Sequence, residues 1–318
     1  MSGEIKAVTL DIQRLSTEDG PGLRTTVFFK GCNLACAWCH NPESIALKKQ
    51  VQWLETRCIG CRLCLAVCGR EALSMDENGI RRDREKCLLC AACAEACPAR
   101  AQEIKGTEWE LAALVREVLK DRAYFGSEGG VTVSGGEALL QIAFVEKFLA
   151  ALKKQGVHTA VDTAGLLPRS VLERVLPWTD LILLDLKLMD AVAHKKFTGA
   201  DNGLILRNAE FLAARRREGG PELWIRTPMI PGATDTAANV AAIGRFIGEK
   251  LQNAPARWEL CAFNNLCADK YRRLDMDWQY AGVPPLREAE MEALYSVARQ
   301  SGARPDMVRR SGATRTED

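Results

Sequence analysis

The placement of its cysteines constrains this 318-residue chain more than any other feature of the sequence. Eleven of the thirteen cysteines lie between Cys32 and Cys97, and the other two are Cys261 and Cys267. Closely spaced cysteines in a reducing compartment indicate metal ligation rather than disulfide bonds, and an odd total also argues against a complete set of disulfides. We therefore predict metal centres in the first part of the chain, and we interpret Cys261 and Cys267 as packing residues.

Composition and charge limit the classes to which the chain can belong. Its 47% hydrophobic and 26% charged residues are typical of a globular protein. The net charge of +2, with both signs interspersed, provides no basic surface for nucleic acid or anionic membrane. No apolar run approaches the roughly 18 residues of a membrane span, and Met1–Lys6 lacks the apolar core of a signal peptide. We predict a cytoplasmic protein that binds neither nucleic acid nor membrane.

Beyond residue 107, short apolar strands alternate with segments of helical period. This βαβα rhythm predicts an α/β fold with a parallel sheet, open or closed as a barrel. Polar and glycine motifs follow the predicted strands at their C-terminal ends, where parallel α/β folds build their sites. We predict a core from residues 1–51 and 105–300, an insert at 52–104 and a polar tail at 301–318.

A three-cysteine loop follows the first apolar strands, where Cys32, Cys36 and Cys39 have the spacing C-x3-C-x2-C. Four thiolates would saturate a four-iron cluster, as in electron carriers. Three thiolates leave one iron without a protein ligand, and an open position is what a catalytic metal needs. The alternative is a zinc site completed by His40, although adjacent residues rarely reach one metal together. We predict a catalytic iron–sulfur cluster on this loop.

The insert carries the spacing C-x2-C-x2-C-x3-C twice. The first run is Cys58, Cys61, Cys64 and Cys68, and the second is Cys87, Cys90, Cys93 and Cys97. In bacterial two-cluster ferredoxins the fourth cysteine of each run ligates the other cluster. Carried over, one cluster takes Cys58, Cys61, Cys64 and Cys97, and the other takes Cys87, Cys90, Cys93 and Cys68. Zinc is the alternative here as well. Pro98 follows the second run, whereas Gly69 stands at the matching position of the first.

Charged and glycine residues at the strand ends predict a binding pocket. Gly135, Gly136 and Glu137 follow one strand, and Asp162-Thr163, Asp185 with Lys187, and Arg226 follow the next three. Each alone is most simply a turn, a helix cap or a surface charge. Together they describe a pocket with both signs of charge, suited to a zwitterionic amino acid that carries a ribose. Period-two spacing places Asp185 and Lys187 on the same side of their strand.

Longer motifs make the pattern specific. They are residues 16–25 (STEDGPGLRT), 29–32 (FKGC), 38–43 (WCHNPE), 129–137 (GGVTVSGGE), 162–165 (DTAG) and 184–187 (LDLK). With them the chain resembles the glycyl radical enzyme activating enzymes of the radical S-adenosylmethionine (SAM) superfamily, which include pyruvate formate-lyase activase. Within them it resembles the subgroup that carries a two-cluster ferredoxin-like insert. The resemblance runs from Val8 to about Ala298.

The resemblance implies a partial (β/α)6 barrel of the TIM type with an inserted bacterial ferredoxin-like α+β domain. It implies three [4Fe–4S] clusters, SAM and a monovalent cation as cofactors. The catalytic cluster is implied on Cys32, Cys36 and Cys39, and the SAM or cation contacts on Trp38, Gly135, Gly136, Glu137, Asp162, Thr163, Asp185, Lys187, Arg226 and Asn264. Asn264 stands where pyruvate formate-lyase activase has a histidine, so it can hydrogen-bond a ribose but cannot titrate. Asp19 matches a residue that contacts the glycine loop of the partner.

The activity that the resemblance implies is the installation of a glycyl radical. Reduced flavodoxin or ferredoxin supplies one electron, SAM is cleaved, and the 5′-deoxyadenosyl radical abstracts a Cα hydrogen from one glycine of a partner glycyl radical enzyme. We expect the activase to be a monomer. The alternatives are a radical SAM enzyme with a small-molecule substrate and a multi-cluster electron-transfer protein. The motifs do not distinguish a dehydratase, decarboxylase, C–N or C–S lyase, or fumarate-adding partner.

Overall fold

The computed structural model describes residues 5–316, in which it has thirteen β-strands and ten α-helices. The strands are β1 (Lys6–Ser16), β2 (Arg24–Phe29), β3 (Gln50–Trp53), β4 (Leu73–Asp76), β5 (Gly79–Arg82), β6 (Gln102–Lys105), β7 (Thr107–Glu110), β8 (Gly130–Gly135), β9 (His158–Thr163), β10 (Leu181–Asp185), β11 (Glu222–Met229), β12 (Arg257–Ala262) and β13 (Val308–Ser311). The helices are α1 (Leu63–Ala66), α2 (Ala92–Glu95), α3 (Leu111–Leu119), α4 (Ile142–Lys154), α5 (Arg169–Val175), α6 (Ala191–Thr198), α7 (Gly203–Arg217), α8 (Ala237–Glu249), α9 (Ala268–Arg273) and α10 (Glu288–Arg299). Most of Met1–Lys6, where we predict no signal peptide, and the last two residues of the predicted tail lie outside the described residues.

One nine-stranded sheet dominates the fold, in the order β13-β12-β11-β10-β9-β8-β2-β1-β7. All neighbours from β2 to β13 are parallel, whereas β1 and β7 join the other edge in antiparallel pairs. The predicted parallel α/β sheet is confirmed. Because the seven parallel strands run in one direction, their C-terminal ends lie along a single edge of the sheet, where they can form one site.

The central strands, and the faces of the helices that pack on them, are apolar because a parallel sheet is covered on both faces. The residues of β10 from Leu181 to Leu184 are all buried. Helix α4 buries Phe144, Phe148 and Leu152 on one face, at the spacing that an amphipathic helix requires. Between residues 5 and 316, no helix combines the length and the apolar character needed to cross a membrane.

Part of the predicted polar tail lies in the sheet. Strand β13 pairs with β12, with Val308 opposite Trp258 and Ser311 opposite Cys261. Val308 and Met307 are buried. The sequence around them is polar and rich in arginine, so its pattern alone does not indicate a strand. Strand β13 forms because it pairs with the otherwise open edge of β12.

Residues 50–105 leave the sheet between β2 and β7 and form two small antiparallel pairs, β3 with β6 and β4 with β5. Helices α1 and α2 are single turns that contact each other. The two cysteine runs repeat one backbone conformation: φ is 60° at Arg62 and 71° at Ala91, and 50° at Glu71 and 51° at Arg100. Positive φ is uncommon and costly for residues other than glycine, so its recurrence at matching positions indicates a shared constraint on both runs.

Candidate active site

A cavity of about 450 Å³ opens at the C-terminal edge of the parallel strands. It is lined by most of the residues that the sequence singles out: Cys32, Cys36, Trp38, Cys39, Gly135, Gly136, Asp162, Thr163, Asp185, Lys187, Arg226 and Asn264. Glu137 and Asp19 do not line it. A cavity of this volume is of the usual size for a ligand as large as SAM.

The cysteines of the three-cysteine loop are half-buried in the cavity wall, where a thiolate is unfavourable without a nearby positive charge. Burial raises the pKa of Cys36 to about 11 and that of Cys39 to about 12, and it also raises the pKa of Cys32. A coordinated metal deprotonates such thiols by supplying that charge. All thirteen cysteines are free of disulfide bonds, so the donor set fits an iron cluster bound by three thiolates.

His40, the fourth ligand of the zinc alternative, lines the cavity with the three cysteines. The ring of His40 packs against Phe263 and Trp278, with centroids 5.9 and 6.4 Å apart, and its Nε2 is buried without a hydrogen-bond partner. Within residues 5–316, no three His, Cys, Asp or Glu side chains converge closely enough to hold a single metal ion. The loop does not form the tight tetrahedral shell that zinc requires.

The glycine pair after β8 brings the cysteine loop against the sheet. A Cβ on Gly135, whose φ is +115°, would lie 2.3 Å from the carbonyl oxygen of Phe29, and one on Gly136 would lie 2.3 Å from that of Gly31. The backbone N–H of Glu137 donates to Gly31 O at 2.7 Å. Side chains at either glycine would push apart β8 and the segment that leads into Cys32, so the glycines are required by packing within the chain.

Glu137 lies behind the cavity wall and joins the ends of β8 and β9. Its carboxylate accepts hydrogen bonds from the hydroxyl of Thr163 (2.7 Å) and the backbone N–H groups of Ala164 (3.1 Å) and Leu139 (3.2 Å). Full burial raises the pKa of Glu137 to about 7, and these hydrogen bonds offset part of that effect. The side chain therefore acts on the cavity through Thr163.

The raised pKa of Glu137 predicts that the SAM-free protein loses stability as the pH rises. Between about pH 4.5 and 7 the unfolded chain releases a proton that folded Glu137 retains, so the free energy of unfolding falls, by on the order of 3 kcal/mol in total. Glu137→Gln removes this contribution. We expect the melting temperature of the variant, relative to that of the wild type, to rise from pH 5 to pH 8. A difference between the two proteins that does not change with pH would contradict the raised pKa of Glu137.

Four charged side chains give the cavity both signs. Lys187 forms an ion pair with Asp185; burial opposes the lysine charge, but the carboxylate outweighs it and keeps the pKa of Lys187 above its ordinary value. Asp162 accepts a hydrogen bond from the Ser134 hydroxyl (2.7 Å), and its Oδ2 lies 3.8 Å from Nη1 of Arg226. Burial raises the pKa of Asp162 to about 6, against the lowering effect of Arg226. The predicted pocket with both signs is present.

Asp19 lies in the turn between β1 and β2 and is held by one hydroxyl from each of these strands. Its Oδ2 accepts hydrogen bonds from the hydroxyls of Ser16 (2.6 Å) and Thr26 (2.7 Å). The neighbouring Glu18 is exposed and lines the cavity. At this turn the structure therefore presents Glu18 to the cavity, a residue that the sequence analysis did not select.

Two further groups at the cavity were also not predicted. Cys261 and Phe263, at the end of β12, and Ser311 and Gly312, at the end of β13, line its wall. An apolar strand containing a cysteine is typical of a core, and the tail shows no strand pattern. Only the register of β13 on β12, which sets Ser311 opposite Cys261, brings these residues to the site.

A segment near the C-terminus, residues 267–278, fixes the backbone of the cysteine loop. Its side chains donate hydrogen bonds to carbonyl oxygens of the loop: Tyr271 Oη to Cys39 (2.9 Å), Trp278 Nε1 to Ala37 (3.0 Å) and Lys270 Nζ to His40 (3.1 Å). Tyr271 also stacks on Trp278, with ring centroids 5.0 Å apart. We call residues 267–278 the clamp segment. Its contacts span more than 200 residues of sequence, so no local pattern could have predicted them.

We expect Tyr271→Phe to weaken the response of the loop to SAM. The change removes the hydroxyl donor of the Cys39 carbonyl and leaves it only the weak thiol donor of Cys267, 3.8 Å away, which costs about 1–3 kcal/mol. The SAM concentration that half-saturates the change in the electron paramagnetic resonance (EPR) spectrum of the reduced protein should rise by about tenfold, the change in affinity equivalent to about 1.4 kcal/mol. Tyr280→Phe is the control. Tyr280 is 6% exposed, as Tyr271 is, but its hydroxyl forms no hydrogen bond within the described residues. Equal behaviour of the two variants would show that the hydrogen bond has no such role.

The insert brings its eight predicted ligands together in the two crossed sets. One small cavity is lined by Cys58, Cys61, Cys64 and Cys97, and another by Cys68, Cys87, Cys90 and Cys93. The last thiol of each run accepts a matching backbone hydrogen bond, from Ala72 N–H to Cys68 (3.3 Å) and from Ala101 N–H to Cys97 (3.2 Å). Four thiols around each cavity form a donor set that fits a four-iron cluster.

Comparison with known proteins agrees with this site. Residues 26–241 match the radical SAM superfamily. The trans-4-hydroxy-L-proline dehydratase activating enzyme of Clostridioides difficile is 43% identical over 90% of this chain and 94% of that protein. The indoleacetate decarboxylase activating enzyme of Tractidigestivibacter scatoligenes is 36% identical over 95% of this chain and 97% of that protein. The solved structure of Streptococcus suis SuiB bound to precursor peptide SuiA is similar in fold, with a TM-score of 0.50, 12% identity and coverage of 89% of this chain and 47% of that one.

A parallel α/β sheet with a three-cysteine loop at the C-terminal edge of its strands, matched over residues 26–241, defines a radical SAM enzyme. The relatives narrow this class further, because they are named as activating enzymes and are similar over nearly the whole chain. The chain belongs to the glycyl radical enzyme activating enzymes.

Proposed function

We propose that this chain holds a [4Fe–4S] cluster on Cys32, Cys36 and Cys39 and installs a glycyl radical on a partner enzyme. The observation that carries the proposal is the cavity in which these half-buried cysteines meet charged side chains of both signs. When bound, the cluster supplies one electron to SAM, which yields methionine and the 5′-deoxyadenosyl radical that abstracts a Cα hydrogen from a glycine of the partner. The chain is an oxidoreductase whose substrate is a protein.

We assign the charged wall of the cavity to SAM. Lys187 and Arg226 are donors suited to the carboxylate of its methionine part, and Asp162 and Asp185 are acceptors suited to its ammonium group and ribose hydroxyls. Oxygen atoms of Asp162, Thr163 and Asp185 also suit a monovalent cation bound beside SAM. Glu137 and the glycine pair hold the wall in place, and Trp38, 5% exposed and packed on Phe197, supports the cysteine loop from within the fold.

We assign residues 52–104 to a ferredoxin-like insert with two further [4Fe–4S] clusters, and residues 1–51 and 105–300 to the radical SAM core. The crossed cysteine sets and the repeated backbone conformation support this assignment. Fully ligated clusters transfer electrons, so their role is to receive an electron from reduced flavodoxin or ferredoxin. We expect the protein to act as a monomer that meets its partner enzyme transiently.

Isotope transfer from a labelled partner tests the proposal. The probes are trans-4-hydroxy-L-proline dehydratase and indoleacetate decarboxylase, the enzymes named in two relatives, each prepared with glycine deuterated at Cα. We expect the glycine-centred EPR signal on at least one of them, with one deuterium in 5′-deoxyadenosine for each radical formed. Neither enzyme acquiring a radical, with deoxyadenosine formed only when a small molecule is added, would favour the alternative of a small-molecule substrate.

A further inference from the structure

The two cysteine cavities of the insert are built from matching positions of the two runs. Trp53 ends β3 and Arg82 ends β5, each five residues before the first cysteine of its run. Leu73 begins β4 and Gln102 begins β6, each five residues after the last cysteine of a run. We call the cysteines of one cavity the first set (Cys58, Cys61, Cys64 and Cys97) and those of the other the second set (Cys68, Cys87, Cys90 and Cys93). The two cavities can therefore be compared position by position.

The matching positions differ in chemistry. Trp53 and Gln102, both neutral, line the cavity of the first set, whereas Leu73 and Arg82 line that of the second. Arg82 is half-buried and forms no ion pair with the described residues. The cavity of the second set therefore holds a positive charge that is partly shielded from solvent, where the first set has the ring of Trp53.

The other charges that line the two cavities balance each other. They are Arg62 at the first set and Arg70 at the second, and both side chains are exposed. Within residues 5–316 no further charged side chain lines either cavity. Water and salt screen an exposed charge more than a buried one. Arg82 is thus the charge that distinguishes the surroundings of the two sets.

Hydrogen bonds fix Arg82 in this position. Its guanidinium donates to the carbonyl oxygen of Val51 and to Oε1 of Gln102 (2.6 Å). Because arginine only donates, Gln102 turns its oxygen toward Arg82 and keeps its Nε2 for other partners. Both Nε2 of Gln102 and Nε of Arg82 are buried without a hydrogen-bond partner among the described residues, as is Nε1 of Trp53. N–H donors for the sulfur atoms of a cluster are therefore available at both sets, and only the charge of Arg82 has no counterpart.

A fixed positive charge favours the reduced form of a cluster. Reduction by one electron adds one negative charge, and the net charge and the hydrogen bonds to the sulfur atoms are among the factors that set the potential. The attraction is stronger at a half-buried position than in water because the local dielectric constant is lower. The thiol of Cys93 responds to the same field: burial raises its pKa, and the charge of Arg82 opposes that rise.

We propose that Arg82 raises the reduction potential of the cluster on the second set above that of the cluster on the first set, so that the insert, once reduced by one electron, holds that electron on the second set. This inference rests on the proposed function, which supplies the two clusters. Arg82 contributes a fixed charge and exchanges no proton, electron or bond. Trp53, at the matching position, leaves the first set without such a charge.

A potentiometric titration followed by EPR tests the proposal. The starting protein is the full chain with Cys36→Ala, in which we expect only the two clusters of the insert, and dithionite is the reductant. We expect two one-electron steps of different potential. Adding Arg82→Gln should lower the equilibrium constant of the more favourable step at least tenfold, which is about 59 mV for one electron, and should change the other step less.

Two further substitutions separate charge from structure. Arg70→Gln removes an exposed arginine that lines the same cavity, and we expect both steps to stay unchanged. Arg82→Lys keeps the charge but loses the planar guanidinium, and we expect it to retain the higher potential. If Arg82→Gln binds less iron than its parent, the comparison of Arg82→Lys with that parent decides. A fall in Arg82→Lys as large as that expected for Arg82→Gln would overturn the proposal, as would a higher step that Arg82→Gln leaves in place.

The iron content separates this inference from the rest of the proposed function. An iron content clearly below about eight per chain before the titration, the content of two four-iron clusters, would mean that the insert does not hold both clusters, and the inference would fail with that assignment. Deoxyadenosine formation by the wild type with dithionite tests the chemistry of the three-cysteine loop independently. Normal deoxyadenosine formation together with unshifted potentials in Arg82→Gln would reject the inference alone.

Discussion

Replacing Cys36 by alanine is expected to abolish SAM cleavage while leaving the insert intact. Cys36 is one of three thiols that line the cavity, and two thiolates cannot hold a four-iron cluster whose fourth iron must remain open. The reconstituted protein should fall from about twelve irons per chain to about eight, the content of two four-iron clusters. Deoxyadenosine formed from SAM in the presence of dithionite should drop below detection, and iron analysis should show the loss of one four-iron cluster.

Cys267→Ala is the matched control for that experiment. Cys267 is buried next to the same loop, with its Sγ 3.8 Å from the carbonyl oxygen of Cys39, but it does not line the cavity. We expect this variant to keep about twelve irons and to cleave SAM. An iron content of about eight in the wild type, with no deoxyadenosine formed, would exclude the cluster from this loop and favour an electron carrier. SAM cleavage that survives Cys36→Ala would contradict the role assigned to Cys36.

The second large effect is expected for Lys187→Met. Lys187 is 7% exposed and pairs with Asp185, and its loss leaves Asp185 and Asp162 facing each other in the cavity. Removing one partner of a buried ion pair costs about 3–5 kcal/mol; because Asp185 is partly exposed, we expect a loss in the free energy of unfolding of about 3 kcal/mol. The affinity for SAM should fall more than tenfold at pH 7, because a donor for its carboxylate is gone.

Lys153→Met provides the comparison. Lys153 pairs with Asp180 at 2.6 Å, but both side chains are about one-third exposed and lie away from the cavity. Pairs of this kind contribute about 0–1 kcal/mol, so the melting temperature should change little and SAM affinity not at all. Equal destabilisation by the two substitutions would mean that Lys187 is solvated in solution. A destabilised Lys187→Met variant with normal SAM affinity would remove Lys187 from the binding site.

The chemistry of this protein is readable from short stretches of sequence because its ligands are local. Cys32, Cys36 and Cys39 lie within one loop, and each cavity of the insert takes three of its four cysteines from one run and the fourth from the other. The strand-end residues are equally readable, because parallel strands with similar registers align their C-terminal ends without further information. The fold class and the family followed from these patterns.

Other parts of the site follow from contacts that no local pattern encodes. Gly135 and Gly136 line the cavity, and the approach of β8 to the end of β2 also requires glycine at both positions. Glu137, which the resemblance implies as a SAM contact, lies behind the cavity wall and accepts a hydrogen bond from Thr163. In both cases the residue type was informative, but its neighbour depended on how two strands pack.

The sequence by itself determined the parallel α/β fold and the family, and it predicted the candidate metal ligands, because spacing of cysteines and periodicity of apolar residues are properties of neighbouring positions. Only the tertiary structure decided that the tail joins the sheet and reaches the cavity, and that the clamp segment fixes the cysteine loop. These arrangements depend on long-range packing, in which a buried carbonyl or an open strand edge selects its partner by burial and hydrogen bonding rather than by distance along the chain.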